Sequence, residues 1–417
     1  MLKKSPLAPK NIGKIKQIKG IDLYVYSAGL YNKKRLDLAL FLFKNKTSIA
    51  EVFTKSSLRS CTLDWNEKNL KNKEIEALIV NSGNANTFTG QAGINALTKI
   101  SNFVSNKFKV SVKKVFFAST GVIGEKFPEN KIVNTLKKDK SKTNNWLQAA
   151  QSIMTTDTFP KAISVKTMIE NKTITITGIA KGSGMIEPNM ATMLGFIFID
   201  CLIPQNILQK LLKDLVDKSF NQITVDGDES TNDTVIMTST NSVSFKNKIS
   251  SIKDKRISKI KNSLLPVVKY LAEQIVRDGE GATKLINIKV ESAKNSPQAK
   301  RIAKAVANSP LVKTAFYGND PNWGRIVMAI GKTYEKIDPK KLKIYIGKQT
   351  VVANGAEYKK LNLQKLKKYM ASKEIDLKLY LGQGNYSYET QTCDFSHKYV
   401  DINACLLYTS PSPRDRG

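Results

Sequence analysis

The chain has 417 residues, 41% hydrophobic and 24% charged, the balance of a globular protein large enough for more than one packed layer. Its 67 Lys and Arg against 35 Asp and Glu give a formal charge of +32, nearly all from lysine dispersed between Lys3 and Lys398. Four cysteines without a CxxC pair and a single histidine argue against a disulfide framework and against a metal site. The basic N-terminus lacks the apolar core of a signal peptide, and no apolar run reaches the ~18 residues of a membrane helix. The expected setting is cytoplasmic, with no membrane partner. Nucleic-acid binders gather basic residues into a patch and add arginine or aromatic groups. Here stretches such as "KKLNLQKLKKYMASKEIDLKL" (359 to 379) read instead as solvated faces of amphipathic helices, so no nucleic-acid partner is expected.

The predicted elements alternate between strands and helices. "IDLYVYSAGL", "LDLALFLF" and "IAEVFT" read as three short strands. "EIEALIVNSGNANTFTG" is a buried strand running into a Gly/Asn loop, and "NALTKISNFVSNKF" places Leu97, Ile100, Phe103 and Val104 at helical spacing. "VKKVFFASTGVIG" repeats the pattern of strand into small-residue loop. "NNWLQAAQSIMTTD" is helix-like and "TITITGIA" alternates as a strand. From Met193 to Ile199 the chain reads as a buried strand or the start of a buried helix. Beyond residue 200 follow a helix ("PQNILQKLLKDLVDKSF"), a strand ("TVIMTST"), a helix around "LLPVVKYLAEQIVRDGEGATK", a strand ("LINIKVESA") and a helix ("SPQAKRIAKAVANSPLVKTAF"). The remainder reads as strand-rich. The predicted class is α/β, or mixed α+β, with sheets packed between helices.

Three motifs fail on inspection. Gly182 and Gly184 begin a dinucleotide loop, but Glu187 stands where the third glycine is required. "DGDESTND" (226 to 233) begins a calcium loop, but Thr231 and Met237 occupy the positions of the essential glycine and glutamate. A catalytic triad would depend on His397, which sits in a strand-like run and reads as structural.

One hydroxyl stands apart. In "AKGSGMIEPNMATMLGFIFID" (180 to 200), Thr192 lies where a loop of small residues enters an apolar element. Two readings follow from the residues. Thr192 caps the element. Alternatively it is a nucleophile whose base is its own α-amine, released by cutting the bond after Ala191. Such an amine has a pKa of about 7.7–8.0, close to working pH. Pro188 and the glycines would hold the loop in one conformation, and Ala191 would offer an unhindered carbonyl.

"KGSGMIEPNMATML" resembles the processing segment of the ornithine acetyltransferase family, the glutamate N-acetyltransferases of arginine biosynthesis. The resemblance extends in order through "NSGNANTFTG" (81 to 90), "ASTGVIG" (118 to 124), "MTTDTFPK" (154 to 161), "TVDGDESTNDT" (224 to 234), "DGEGATK" (278 to 284), "YGNDPNWGRI" (317 to 326) and "HKYVDINA" (397 to 404). It implies an autoprocessing fold of the N-terminal-nucleophile kind. Cleavage between Ala191 and Thr192 would yield an α chain (1 to 191) and a β chain (192 to 404), with two αβ units associating. Thr192 would be the nucleophile, with the Thr120 hydroxyl and Gly121 N–H as the oxyanion hole. Substrate contacts would fall to Thr155 (or its neighbour Thr156), Lys181, Thr192, Glu280 and Asn403. The implied reaction moves acetyl from N2-acetylornithine to glutamate without metal or cofactor; some members also accept acetyl-CoA as donor. Two other readings are an N-terminal-nucleophile amidase or aminopeptidase, which would pass the acyl group to water, and a basic nucleic-acid-binding protein.

Residues 405 to 417, "CLLYTSPSPRDRG", break the lysine-rich character and read as a disordered or foreign tail. In the family a terminal serine or threonine hydroxyl reaches the substrate site. Counting from Asn403 places Tyr408 there, which is expected to leave that site incomplete.

Overall fold

The computed structural model describes residues 3–138, 142–187 and 193–404. Pro188, Ala191, Thr192 and the tail with Tyr408 therefore lie outside the described residues. The chain divides into two compact units.

The larger unit takes in Pro9–Asn221 and Asp228–Ile275. Its elements in order are β1 (Ile21–Tyr26), β2 (Leu38–Phe53), α1 (Cys61–Leu70), β3 (Glu74–Asn81), α2 (Gly90–Phe108), β4 (Val115–Ser119), α3 (Glu129–Lys137), α4 (Trp146–Ser152), β5 (Lys161–Ile169), β6 (Lys172–Lys181), β7 (Leu194–Cys201), α5 (Gln205–Asp217), β8 (Thr234–Val243) and nearly all of α6 (Lys255–Arg277). Among the described residues the strands form one eight-stranded sheet in the order β4-β3-β2-β8-β7-β6-β5, with β1 paired to β2. The β3–β4 and β7–β8 pairs are parallel.

Strand alternation sends neighbouring side chains to opposite faces, and both faces are apolar. Phe41 joins Trp146 and Phe198 in one core; Leu40 joins Ile79, Leu97 and Phe117 in the other. The helix α4 supplies Trp146, Ala149 and Ala150 to the first core, and α2 and α3 supply Leu97, Ile100, Ile132 and Leu136 to the second. Every residue of β7 is buried. Gly178 on β6 lets α6 approach, since a Cβ there would lie 2.7 Å from Leu271 Cδ1.

The smaller unit takes in Gln222–Gly227 and the chain from Val276 onward, with a few N-terminal residues. It holds β9 (Leu285–Ala293), α7 (Ser296–Ala307), α8 (Pro310–Tyr317), α9 (Trp323–Gly331), β10 (Lys343–Ile346), β11 (Gln349–Ala353), β12 (Ala356–Glu357), α10 (Leu363–Met370), β13 (Glu374–Tyr380), β14 (Tyr386–Cys393) and α11 (His397–Ala404). The sheet order is β12-β11-β10-β13-β9-β14, and helix residues Ile302, Val306, Phe316, Ile326 and Leu366 cover its core. Both units therefore have the expected mixed α/β character, with sheets packed on helices.

Several elements differ from the sequence expectation. The two strands read at 36–43 and 49–54 are one continuous β2. Its Leu38–Phe43 half pairs with β1 and its Ser48–Phe53 half with β8, so the polar stretch between them marks a change of partner rather than a turn. The single helix expected over 296–316 is two. Pro310 removes an N–H, and the Ser309 hydroxyl accepts from Val312 N to cap the restart. The lysine-rich stretch at 359–379 is only partly helical: it holds the short α10 and then β13, whose Ile375, Leu377 and Leu379 are buried. His397 opens a helix rather than lying in a strand, and its ring meets Tyr317 edge-on at 6.0 Å. Among the described residues, no helix is long and apolar enough to cross a membrane, and no group of three or more His, Cys, Asp or Glu is arranged to hold a metal.

Candidate functional site

In the larger unit, β3 and β4 run parallel with Asn81 beside Ser119, so both strands end at one level. Each runs into its small-residue loop, and the loops are laced together. Thr120 N donates to Asn81 O at 3.1 Å, Ala85 N to Val122 O at 2.9 Å, and Gly124 N to Thr87 O at 2.9 Å. Asn81 Nδ2 donates to Asn84 O at 2.9 Å, while its Oδ1 accepts from the Ser119 hydroxyl at 2.7 Å.

Gly121 has φ +135°, and a Cβ there would lie 2.3 Å from the Gly83 carbonyl carbon. Only glycine fits so close an approach at that φ. Among the described residues neither the Thr120 hydroxyl nor the Gly121 N–H has a hydrogen-bond partner. Two donors on adjacent residues thus stand unengaged at the end of a rigid strand. Thr120 is 7% exposed.

Asn232, from the stretch that resembles a calcium loop, ties this corner to the next strand. Its Nδ2 donates to Ala85 O at 2.5 Å and Ser119 O at 2.9 Å, and its Oδ1 accepts from the hydroxyls of Thr87 at 2.6 Å and Thr231 at 2.7 Å. Two residues on, Thr234 opens β8, and its N–H donates to Met193 O at 3.0 Å. Met193, the first described residue after the 188–192 stretch, is thereby held at the start of β8.

Thr155 and Lys181 are brought together through a third residue. The Asp157 carboxylate accepts from Thr155 N at 3.0 Å on Oδ2, and from Gly182 N at 2.8 Å and Lys161 Nζ at 2.6 Å on Oδ1. Burial alone would raise the Asp157 pKa. The ammonium groups of Lys161 and Lys181 and the Gly182 N–H hold it below the usual carboxylate range. Lys181 ends β6 opposite Leu194, the first residue of β7. Thr156 is half-buried like Thr155.

The smaller unit places Glu280 and Asn403 in contact. Asn403 Nδ2 donates to Glu280 Oε2 at 2.8 Å and to Tyr399 O at 2.9 Å. The loop carrying Glu280 is held from both sides. Asp394 Oδ1 accepts from Thr283 N and Lys284 N, each at 2.8 Å, and the Ser396 hydroxyl donates to Gly281 O at 2.6 Å. Gly281 has φ +73° and packs against α11, where a Cβ would lie 2.7 Å from Tyr399 N.

The sequence reading missed Asn232, Asp157 and Lys161 as residues with a part in this arrangement. Their signal was weak: an Asp in a loop four residues before the Lys that opens β5, and an Asn in a cluster of polar residues. The buried thiols take no part, with burial pushing Cys201 up to about 12 and Cys393 up to about 11.

The sequence matches the ArgJ family over residues 22–410. It is similar to the arginine biosynthesis bifunctional protein ArgJ of Bradyrhizobium diazoefficiens, with 41% identity over 403 residues, covering 96% of this chain and 98% of the relative. The protein of the same name from Bartonella quintana is 41% identical over 405 residues, again covering 96% and 98%. A crystal structure of the ArgJ protein from Bacillus halodurans overlaps 51% of this chain and 99% of that one, at 35% identity and a TM-score of 0.48. With that family match and relatives spanning almost its whole length, the chain belongs to the ArgJ family and is an acyltransferase of arginine biosynthesis.

Proposed function

We propose that the chain cuts itself between Ala191 and Thr192, and that Thr192 then carries an acetyl group from N2-acetylornithine to glutamate. The observation that carries this reading is the pair of unengaged donors, the Thr120 hydroxyl and Gly121 N–H, on a corner tied through Asn232 to the strand beside Met193. Donors fixed before the reaction stabilise a developing oxyanion without reorganising.

In the first step Thr192 Oγ attacks the Ala191 carbonyl. The C–N bond breaks, and water hydrolyses the ester to leave an Ala191 carboxylate and a free Thr192 amine. That amine then takes the Oγ proton as Oγ attacks the acetyl carbonyl of N2-acetylornithine. The proton passes to the leaving α-nitrogen, ornithine departs, and an acetyl ester remains on Thr192. The α-amine of glutamate attacks this ester, the bond between the acetyl carbon and Oγ breaks, a proton from the attacking amine returns to Oγ through the Thr192 amine, and N-acetylglutamate leaves.

Lys181 would pair with a substrate carboxylate, and Glu280 with the distal ammonium of ornithine. Thr155 and Asn403 would complete the contacts. The scheme needs no metal or organic cofactor, and acetyl-CoA would be an alternative donor for the same ester. After cleavage the α chain (1 to 191) and β chain (192 to 404) remain partners, with two αβ units associating.

The test is mass spectrometry of the purified protein followed by assay. Two fragments split at Thr192 are expected, with a single inactive chain for Thr192→Ala. Normal cleavage of that variant would remove Thr192 from the scheme. Incubation with N2-acetylornithine should give ornithine and N-acetylglutamate only when glutamate is present. Acetate released at the same rate without glutamate would identify an amidase instead. Repeating the assay with acetyl-CoA decides whether that donor is used.

A further inference from the structure

Asp157 and Lys161 form an ion pair whose side chains are both 0% exposed. Removing two charges from water is expensive, and well-packed apolar residues often serve a core as well or better. An apolar replacement could not, however, do what the Asp157 carboxylate does besides meeting Lys161. It accepts from the backbone N–H of Thr155 and from that of Gly182, two segments far apart in sequence. One segment is the loop after α4 that presents Thr155. The other is the exit of β6, where Lys181 ends the strand and Gly182, at φ +153°, begins the loop that follows.

We propose that Asp157 is a positioning residue that fixes Thr155 and Lys181 relative to one another, with Lys161 as its buried counter-ion. This rests on the reading of Thr155 and Lys181 as substrate contacts. The counter-ion has a second consequence. A substrate carboxylate drawn to Lys181 approaches the same region as Asp157, and two carboxylates repel. Lys161 Nζ, 2.6 Å from Asp157 Oδ1, offsets that charge from inside the protein. The clamp thus lets a carboxylate orient the backbone without repelling an anionic substrate. Asp157 touches no reacting atom in this account and acts through Thr155 and Lys181.

The test compares the wild-type enzyme with the double variant Asp157→Asn/Lys161→Met, which removes both charges together and leaves none buried alone. Initial rates are measured against N2-acetylornithine and glutamate, with self-cleavage followed by gel. Loosened binding groups should raise KM for both substrates at least tenfold while kcat changes less than threefold. A purely structural role would lower the folded fraction, and with it the apparent kcat and Tm, and leave KM within twofold of wild type; that result overturns the proposal. Should the double variant not fold, the near-isosteric Asp157→Asn is read by the same split. Failure of both to fold assigns the pair to stability alone and also overturns it. A wild-type protein without transfer activity overturns the substrate reading and this inference together. An active wild type with an unaffected variant overturns this inference only.

Discussion

Among the described residues the Thr120 hydroxyl has no hydrogen-bond partner. The proposed oxyanion role gives this donor a use. Replacing Thr120 with Val keeps the branched shape and removes only the donor. Losing one oxyanion donor typically costs on the order of 10²-fold to 10³-fold in kcat. Thr120→Val is therefore expected to fold normally and to lose transfer activity on that scale, as measured by steady-state kinetics beside circular dichroism. A folded variant with a wild-type rate would remove the hydroxyl from the site. Gly121 was legible from sequence only as part of a family motif. The reason it must be glycine, a contact with the Gly83 backbone from another strand end, is a tertiary fact that no local pattern carries.

At the scale of elements, strands and helices with clean periodicity were legible, and those whose boundaries depend on partners were not. The length of β2 follows from β1 and β8 taking the same edge in succession, which a run of polar residues conceals. The strand β5 went unread because its exposed half, with Lys166 and Met168, gives no sustained alternation. Buried polar junctions were equally hidden. Glu51 on β2 accepts on Oε1 from Asn66 Nδ2 of α1 and the Thr234 hydroxyl of β8, both at 2.8 Å, while among the described residues Oε2 has no hydrogen-bond partner. Burial raises its pKa to about 8 from an ordinary 4.5, against the lowering effect of those two hydrogen bonds. The folded state therefore keeps a proton that the unfolded state releases between those two pH values. Its stability should fall there by about 1.4 kcal/mol per pH unit from this one group. Glu51→Gln retains the acceptor and cannot ionise. Melting curves from pH 5 to pH 8 should show the variant gaining on the wild type as pH rises; parallel curves would place an ionised carboxylate at this junction.

Across the whole molecule, the proposed α/β cleavage point and the packing follow different divisions of the chain. The larger unit draws β1–β6 from before Thr192 and β7 and β8 from after it, and the latter pair lies between β2 and β6 in the middle of the sheet. Lys181 and Leu194 face each other as the last pair of the β6–β7 ladder. The cut would therefore fall in a short connection whose two ends the sheet already holds. The proposed α and β chains are expected to co-elute under native conditions and to separate only in denaturant.

The β6–β7 pairing also bears on the molecularity of folding. In the intact precursor the connection across Thr192 makes the meeting of these two strands an intramolecular event, limited by the modest entropy of closing a short loop. Once that link is gone, the same pairing can be rebuilt after denaturation only by encounter of two separate polypeptides, at a rate set by their concentration. The intact Thr192→Ala chain should refold with a half-time independent of dilution. The processed protein should refold more slowly at each dilution, and below some concentration not at all. Equal, dilution-independent half-times would mean that the two pieces never come apart, or that no cut was made. The proposed self-cleavage would leave the folded sheet as it is and make its assembly a single-use event: the order of the strands would be inherited from a covalent chain that no longer exists.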